Sequence, residues 1–297
     1  MKNIIKIGVI LMSAVFLKLG LSQGTNVEAA KVSGTTETIN YRTNYKQKSY
    51  EKKATVYLPA QYKADQKHNI VYLLHGSTEG GSDFYQDGNF KAILNRLAKD
   101  KTLKNTIVVF PTYYPSRKFV SSDYYSDRPL NENFAKNELV NDLMPAVEQK
   151  YQPYAKTADK KGFAASRNHR AFGGFSMGSI TTWFVFEHDL KYFHYFLPMA
   201  GDSWTIENDG GAVASKKTAD KLAKKVKTDL PFKIMAAVGS NDGTSGSMEP
   251  QIEAMWKLPE FDHQNLQYYV QKGGSHSPQS IGKQFEHYAK QLFETKK

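Results

Sequence analysis

The sequence predicts an α/β fold: a mainly parallel central sheet with an antiparallel N-terminal edge and helices on both faces. Three observations predict it. Continuous apolar runs at residues 70–74 (IVYLL) and 106–110 (TIVVF) are too short for helices and suit strands buried on both faces. Runs of this kind alternate along the chain with stretches of helical spacing, the pattern of crossover connections in a parallel sheet. The first strand-like segments, within residues 36–58, have no helix between them, so they are expected to pair as an antiparallel edge.

Each element follows from local chemistry. Thr36, Thr38, Ile39 and Tyr41 favour a strand, and residues 54–58 (ATVYL) end at Pro59, which cannot continue a ladder. After the 70–74 strand, residues 90–97 read as a helix with Ala92, Ile93 and Leu97 on its apolar face. The 106–110 strand comes next. Residues 134–151 predict a long amphipathic helix with Leu139, Leu143, Met144 and Val147 inside, which Pro145 should kink or split. A strand at 170–173, a helix at 179–187 and a strand at 193–199 follow. Then come a basic helix at 216–228, a strand at 232–238, a helix at 248–256 and a strand at 266–270. The last helix, 278–293, carries Pro278 in its first turn. In such sheets chemistry gathers in loops beyond the carboxyl ends of the strands.

The 297 residues carry 40 Lys and Arg against 29 Asp and Glu, a net charge of +11, and no cysteine. The absence of cysteine excludes disulfides, thiolate metal sites and a cysteine nucleophile. Lys2 and Lys6 precede an apolar run at residues 7–17 that Lys18 interrupts. A membrane span needs about 20 such residues. With small residues at Val27 and Ala29, residues 1–29 read as a secretory signal peptide rather than a retained anchor. Residues 30–297 then form a single domain, secreted or held at the cell wall. The densest positive charge, residues 216–227, falls on the wet face of a helix whose buried stripe is Ala219, Leu222, Ala223 and Val226. A nucleic-acid partner is not expected, nor stable membrane insertion after cleavage. The oligomeric state is not legible.

Gly174-Phe175-Ser176-Met177-Gly178 matches G-x-S-x-G between a strand-like and a helix-like stretch. That context makes Ser176 a nucleophile raised above the sheet on a sharp turn. A serine hydroxyl needs a base, and the base needs an orienting acid, in the chain order Ser, Asp or Glu, His. His188 and His194 come too early, His263 precedes a strand, and His287 sits on an apolar-periodic helix. His276 follows the 266–270 strand in a glycine-rich turn and is the expected base. Asp242, just past the 232–238 strand, is the expected acid. Asp202, past the 193–199 strand, is its rival. The oxyanion hole needs two backbone amides, expected from Met177 and from Ser77 in the loop after the 70–74 strand. His75 is expected to support that loop rather than move protons. No metal and no cofactor is expected.

In the same order along the chain, Tyr57-Leu58-Pro59, Tyr72-Leu73-Leu74-His75-Gly76, Gly174-Phe175-Ser176-Met177-Gly178, Gly239-Ser240-Asn241-Asp242 and Gly273-Gly274-Ser275-His276 resemble motifs of the putative esterase family of α/β hydrolases. That family includes esterase D-like enzymes, bacterial feruloyl esterases and mycolyltransferases. Pro111-Thr112-Tyr113-Tyr114-Pro115, Ser122-Asp123-Tyr124-Tyr125 and Gly201-Asp202-Ser203-Trp204 look most like its feruloyl, or cinnamoyl, esterase branch. The resemblance runs from about residue 36 to the C-terminus and implies an α/β-hydrolase fold. In such esterases a tryptophan often follows the histidine; here Ser277, Pro278 and Gln279 do.

The long loop between the 106–110 strand and the 134–151 helix carries Tyr113, Tyr114, Tyr124 and Tyr125. Its rings either stack on a phenolic acyl group or pack the loop down. Tyr113, Tyr114 and Tyr124 are candidate substrate contacts, as is Trp204, whereas Trp183 suits the core. The expected function is an exported serine carboxylesterase acting on a small-molecule or polysaccharide-linked ester, with feruloyl or cinnamoyl esters of plant polysaccharide implied by the resemblance. An acyltransferase to a sugar or wall polymer shares every part. A non-catalytic wall-binding protein on a hydrolase scaffold is the remaining alternative.

Overall fold

The computed structural model describes residues 33–151 and 153–294; the expected signal peptide, residues 1–29, lies outside them. Eight strands form one sheet: β1 Thr35–Tyr45, β2 Lys48–Leu58, β3 Asn69–Leu74, β4 Thr106–Phe110, β5 Arg170–Phe175, β6 Tyr195–Met199, β7 Lys233–Gly239 and β8 Leu266–Gln271. Their order is β1-β2-β4-β3-β5-β6-β7-β8. β1 and β2 form the antiparallel edge, β2 also runs antiparallel to β4, and every other pair is parallel. This is the mainly parallel sheet with an antiparallel N-terminal edge that the alternating pattern predicts, and the α/β-hydrolase sheet that the resemblance implies.

The short apolar runs are buried on both faces because the side-chain period is two. Ile70, Tyr72 and Leu74 enter one core with residues of the helical segment that includes Leu139, Leu143 and Val147, and with Phe184 and Leu222. Val71 and Leu73 enter the other, against Phe84, Phe90, Leu94 and Phe285. Helices thus cover both faces. In chain order they are α1 Gly81–Asp87, α2 Phe90–Lys99, α3 Arg128–Asn133, α4 Met144–Tyr151, α5 Lys160–Ala165, α6 Met177–Asp189, α7 Gly210–Val213, α8 Ser215–Ala223, α9 Ser245–Met255 and α10 Pro278–Ala289.

Several expectations are corrected. Pro145 does not split its helix. The segment starts earlier, at Arg128, winds as a π-helix over Phe134–Leu143 and continues as α4. The wider π turn just before Pro145 gives the proline ring room that a regular α turn would deny it. α1 and α5 are additional helices, hidden from the sequence by glycine-rich and polar composition. The basic helix is shorter, ending at Ala223, and its lysines are not all in open water: Lys221 and Lys225 approach the carboxylate of Glu187.

Asp189 ends α6 in a buried position, with one carboxylate oxygen unpartnered. Burial pushes its carboxyl up from 3.8 to about 8. Over that window the unfolded chain sheds a proton that the folded chain keeps, so stability falls as pH rises. Asp189→Asn is therefore expected to raise the thermal midpoint at about pH 8 and to raise it much less at about pH 4. Equal shifts at both pH values would sink this account.

Candidate active site

The strand order reverses around β3. The chain steps outward from β3 to β4, then returns to lay β5 on the other side of β3. Loops leaving the carboxyl ends of β3 and β5 therefore diverge and open a crevice between them. The register pairs Leu74 with Gly174, so the His75–Gly81 loop and Ser176 meet at one end of the sheet.

Ser176 joins β5 to α6 with φ 54° and ψ −113°, a strained backbone for a residue with a side chain. The turn closes only because its flanking positions lack a Cβ. One on Gly178 would lie 2.3 Å from the Leu74 carbonyl oxygen, and one on Gly174 would lie 2.7 Å from the backbone of both Leu74 and Gly178. Behind the turn, α6 is buried along nearly all its length. Its hydroxyls are satisfied locally: Thr181 and Thr182 donate to the carbonyls of Met177 and Gly178, and Ser179 donates to Gly201. Trp183 is core, as expected, and donates to the same Gly201 carbonyl.

His276 and Asp242 arrive from the last two strands. Their loops are tied together: the Asn241 amide donates to the Gly274 carbonyl at 2.8 Å and the Gly273 amide to Ser240 Oγ at 2.9 Å. His276 Nε2 lies 3.0 Å from Ser176 Oγ, and its Nδ1 lies 3.0 Å from both carboxylate oxygens of Asp242. Thr244 donates its amide and hydroxyl to Asp242 Oδ1 at 3.0 and 2.7 Å. Burial raises the Asp242 carboxyl, but the hydrogen bonds from His276 and Thr244 outweigh it and hold the group below its ordinary value. The carboxylate therefore stays charged where it would fix the imidazole tautomer. Asp202, the rival acid, is spent elsewhere, on the Gly211 amide at 2.6 Å and the Trp204 indole at 3.2 Å.

The β3 loop is braced from outside. Arg117 donates to the carbonyls of Thr78 and Glu79 at 2.8 and 3.1 Å, and the Tyr114 hydroxyl also donates to Glu79 at 3.1 Å. Tyr113 donates to Asp127 at 2.6 Å and lies 3.4 Å from the Ser77 carbonyl oxygen. His75 is fully buried between Tyr113 and Tyr114, and burial pushes its imidazole down to about 3. It is neutral at working pH and donates from Nδ1 to the Gly76 carbonyl, which fits a supporting role. Met177 opens α6, so its amide has no partner within the helix.

A cavity of about 560 Å³ opens over Ser176 and His276, with Ser77 and Met177 in its wall. That volume suits a small organic group. Of the four aromatic candidates, Tyr124 and Trp204 line it; Tyr113 and Tyr114 do not, because they are the rings that pack the loop. Tyr125 joins the lining. Its ring stacks on Trp204 with planes 3° apart and on Tyr124 at 4.6 Å between centroids. Among the described residues no group of three or more His, Asp or Glu side chains converges as a metal site requires.

Residues 48–297 match the protein family described as Putative esterase. The chain belongs to that family. With this fold it is a serine carboxylic ester hydrolase. The esterase is 35% identical over 235 residues to endo-1,4-beta-xylanase Y of Acetivibrio thermocellus, covering 76% of this chain and 20% of that protein. It thus spans about one fifth of the length of that curated relative. Among solved structures, a serine-to-alanine mutant of the feruloyl esterase module from Clostridium thermocellum, complexed with sinapinate, is 30% identical. That match covers 89% of each chain with a TM-score of 0.73. The ferulic acid esterase of Anaeromyces mucronatus, in complex with ferulic acid, is 21% identical with a TM-score of 0.68. It covers 88% of this esterase and 91% of that chain and shares the fold.

Proposed function

We propose that this esterase hydrolyses feruloyl and related hydroxycinnamoyl esters, with Ser176 as nucleophile, His276 as general base and Asp242 as its orienting acid. The observation that carries the reading is one cavity in which a hydrogen-bonded Ser176–His276–Asp242 line meets an aromatic wall. Among the described residues five large hydrophobic side chains are exposed, and three of them, Tyr124, Tyr125 and Val213, ring this cavity. Apolar surface gathered at one mouth favours an apolar, planar acyl group.

In the proposed sequence His276 Nε2 takes the Ser176 proton as Oγ attacks the ester carbonyl. The amides of Ser77 and Met177 stabilise the oxyanion. Collapse of the tetrahedral species expels the alcohol, which takes the proton from His276. Water, activated by the same imidazole, then releases the acid and restores Ser176.

Residues 1–29 are proposed to export a single domain of residues 30–297, whose ester is carried on plant polysaccharide. No helix among the described residues is long and apolar enough to cross a membrane. The similarity to endo-1,4-beta-xylanase Y and to a feruloyl esterase module supports this substrate class.

The test is hydrolysis of methyl ferulate beside 4-nitrophenyl acetate. The expected result is ferulate turnover with the higher kcat/KM. Acetate turnover alone would retain the esterase and discard the hydroxycinnamoyl reading.

A further inference from the structure

The aromatic wall of the cavity comes from two loops that are far apart in the chain. Tyr124 and Tyr125 stand on a short turn after β4, and Trp204 stands on the loop after β6. Stacked rings do not by themselves fix the backbones that carry them; bonds between the two loops do. Two such bonds are solvent-exposed: Asn208 Nδ2 donates to the Tyr125 carbonyl at 3.0 Å, and the Tyr125 hydroxyl donates to Asp209 at 2.8 Å.

Arg128 makes a third link, and this one is partly buried. It opens α3, three residues after Tyr125, and is not itself in the cavity wall. Its Nε donates to the Trp204 carbonyl at 2.7 Å, and its Nη2 reaches the Ile206 and Thr205 carbonyls at 3.1 and 3.4 Å. Three consecutive carbonyls thus converge on one rigid, planar set of donors. The Thr205 carbonyl also accepts from Lys221 of α8 at 2.6 Å, but Lys221 is shared with Glu187. Among the described residues every partner of the Arg128 guanidinium is a carbonyl of this one loop. The side chain therefore holds a backbone in place rather than neutralising a charge, and what it holds is the segment that carries Trp204.

We propose that Arg128 is a positioning residue for the acyl site: its guanidinium sets Trp204 against Tyr124 and Tyr125, and so sets the fit of the wall to an acyl ring. The proposal rests on the acyl-pocket reading above and deepens it with a residue outside the cavity. A ring stacks only at van der Waals distance, so moving Trp204 by about 1 Å forfeits up to about half of its contact. The Arg128 bonds reach none of the loops that carry Ser176, Asp242 and His276, so the loss falls on binding of the acyl ring before it falls on the chemistry.

The experiment measures kcat/KM for methyl ferulate and for 4-nitrophenyl acetate, which has no ring on its acyl side. Parent is compared with Arg128→Met, which keeps the apolar stem and removes the donors. The ferulate-to-acetate ratio is expected to fall about tenfold, the order of one charge-assisted hydrogen bond. The loss is expected as a higher KM for ferulate. Both esters are measured on the same preparation, so the folded fraction cancels from the ratio. A parent-like ratio in Arg128→Met overturns the proposal, and so does a fall carried by ferulate kcat alone. Where Arg128→Met does not fold, Arg128→Lys carries the same test. A fall of about threefold is then expected, because lysine returns the charge without the fork, and a parent-like ratio overturns the proposal. Parent turnover of acetate without ferulate removes the acyl-pocket reading and this proposal with it, whereas parent ferulate turnover with an unmoved ratio removes this proposal alone.

Discussion

Ser176→Ala should lose about 10⁴-fold or more in esterase kcat while keeping the thermal midpoint of the parent. Alanine removes the only oxygen that His276 Nε2 faces at 3.0 Å, so no covalent acyl-enzyme can form. It retains the Cβ, so the turn at φ 54° is no more strained than before. The hydroxyl makes no other hydrogen bond among the described residues, so the fold has little to lose. Hydrolysis of 4-nitrophenyl acetate, followed beside a thermal melt, checks both halves. Comparable turnover in the variant would remove Ser176 from the chemistry.

The largest effect on stability is expected far from the cavity, at the other end of β5. Arg170 begins β5 and is buried. Its Nε and Nη2 reach the two oxygens of Glu148 at 2.7 and 2.8 Å, and its remaining donors go to Ser166 Oγ and the carbonyls of Phe163 and Tyr192. Tyr72 donates to the same carboxylate at 3.3 Å. A buried guanidinium with every donor used depends on its counter-charge. Glu148→Gln strands it, at an expected cost of about 3–5 kcal/mol. Urea unfolding of parent and variant measures this directly. Replacing both partners, with Arg170→Met and Glu148→Leu together, should recover much of the loss, because no uncompensated charge is then buried. A loss below about 1 kcal/mol for the single change would show that solvent reaches the pair.

Much of the fold was legible because it is written in local periodicity. The runs at residues 70–74 and 106–110 are almost wholly apolar and only five residues long, and at that length the pattern suits a strand covered on both faces rather than a helix. That Ser176, His276 and Asp242 would meet was legible for a related reason: each follows the carboxyl end of a strand within a few residues, so strand prediction carried their placement with it. α1 and α5 were not legible, since seven- and six-residue helices offer too few turns for a periodic signal. The π winding at Phe134–Leu143 was equally silent, because a π turn and an α turn place apolar residues at overlapping spacings.

The aromatic candidates divide along the same line. Four rings on long loops have no periodicity to say which way they face. Tyr113 and Tyr114 turn inward because the carbonyls of the β3 loop and Asp127 supply partners for their hydroxyls. Tyr124 remains at the cavity with Tyr125 because Trp204 offers them a flat surface. Thr244 carries no sequence signal of a site at all; its place comes from the Asp242 carboxylate, to which it donates from two residues away.

The sequence by itself determined the sheet, the sharp turn at Ser176 and the order in which Ser176, Asp242 and His276 leave their strands, because backbone conformation and burial depend on neighbours a few residues apart. Only the tertiary structure brought Asp242 rather than Asp202 to His276 and sorted packing rings from cavity rings. Those outcomes depend on which hydrogen-bond donors arrive first from distant loops, and that competition is settled only when the loops are brought together in space.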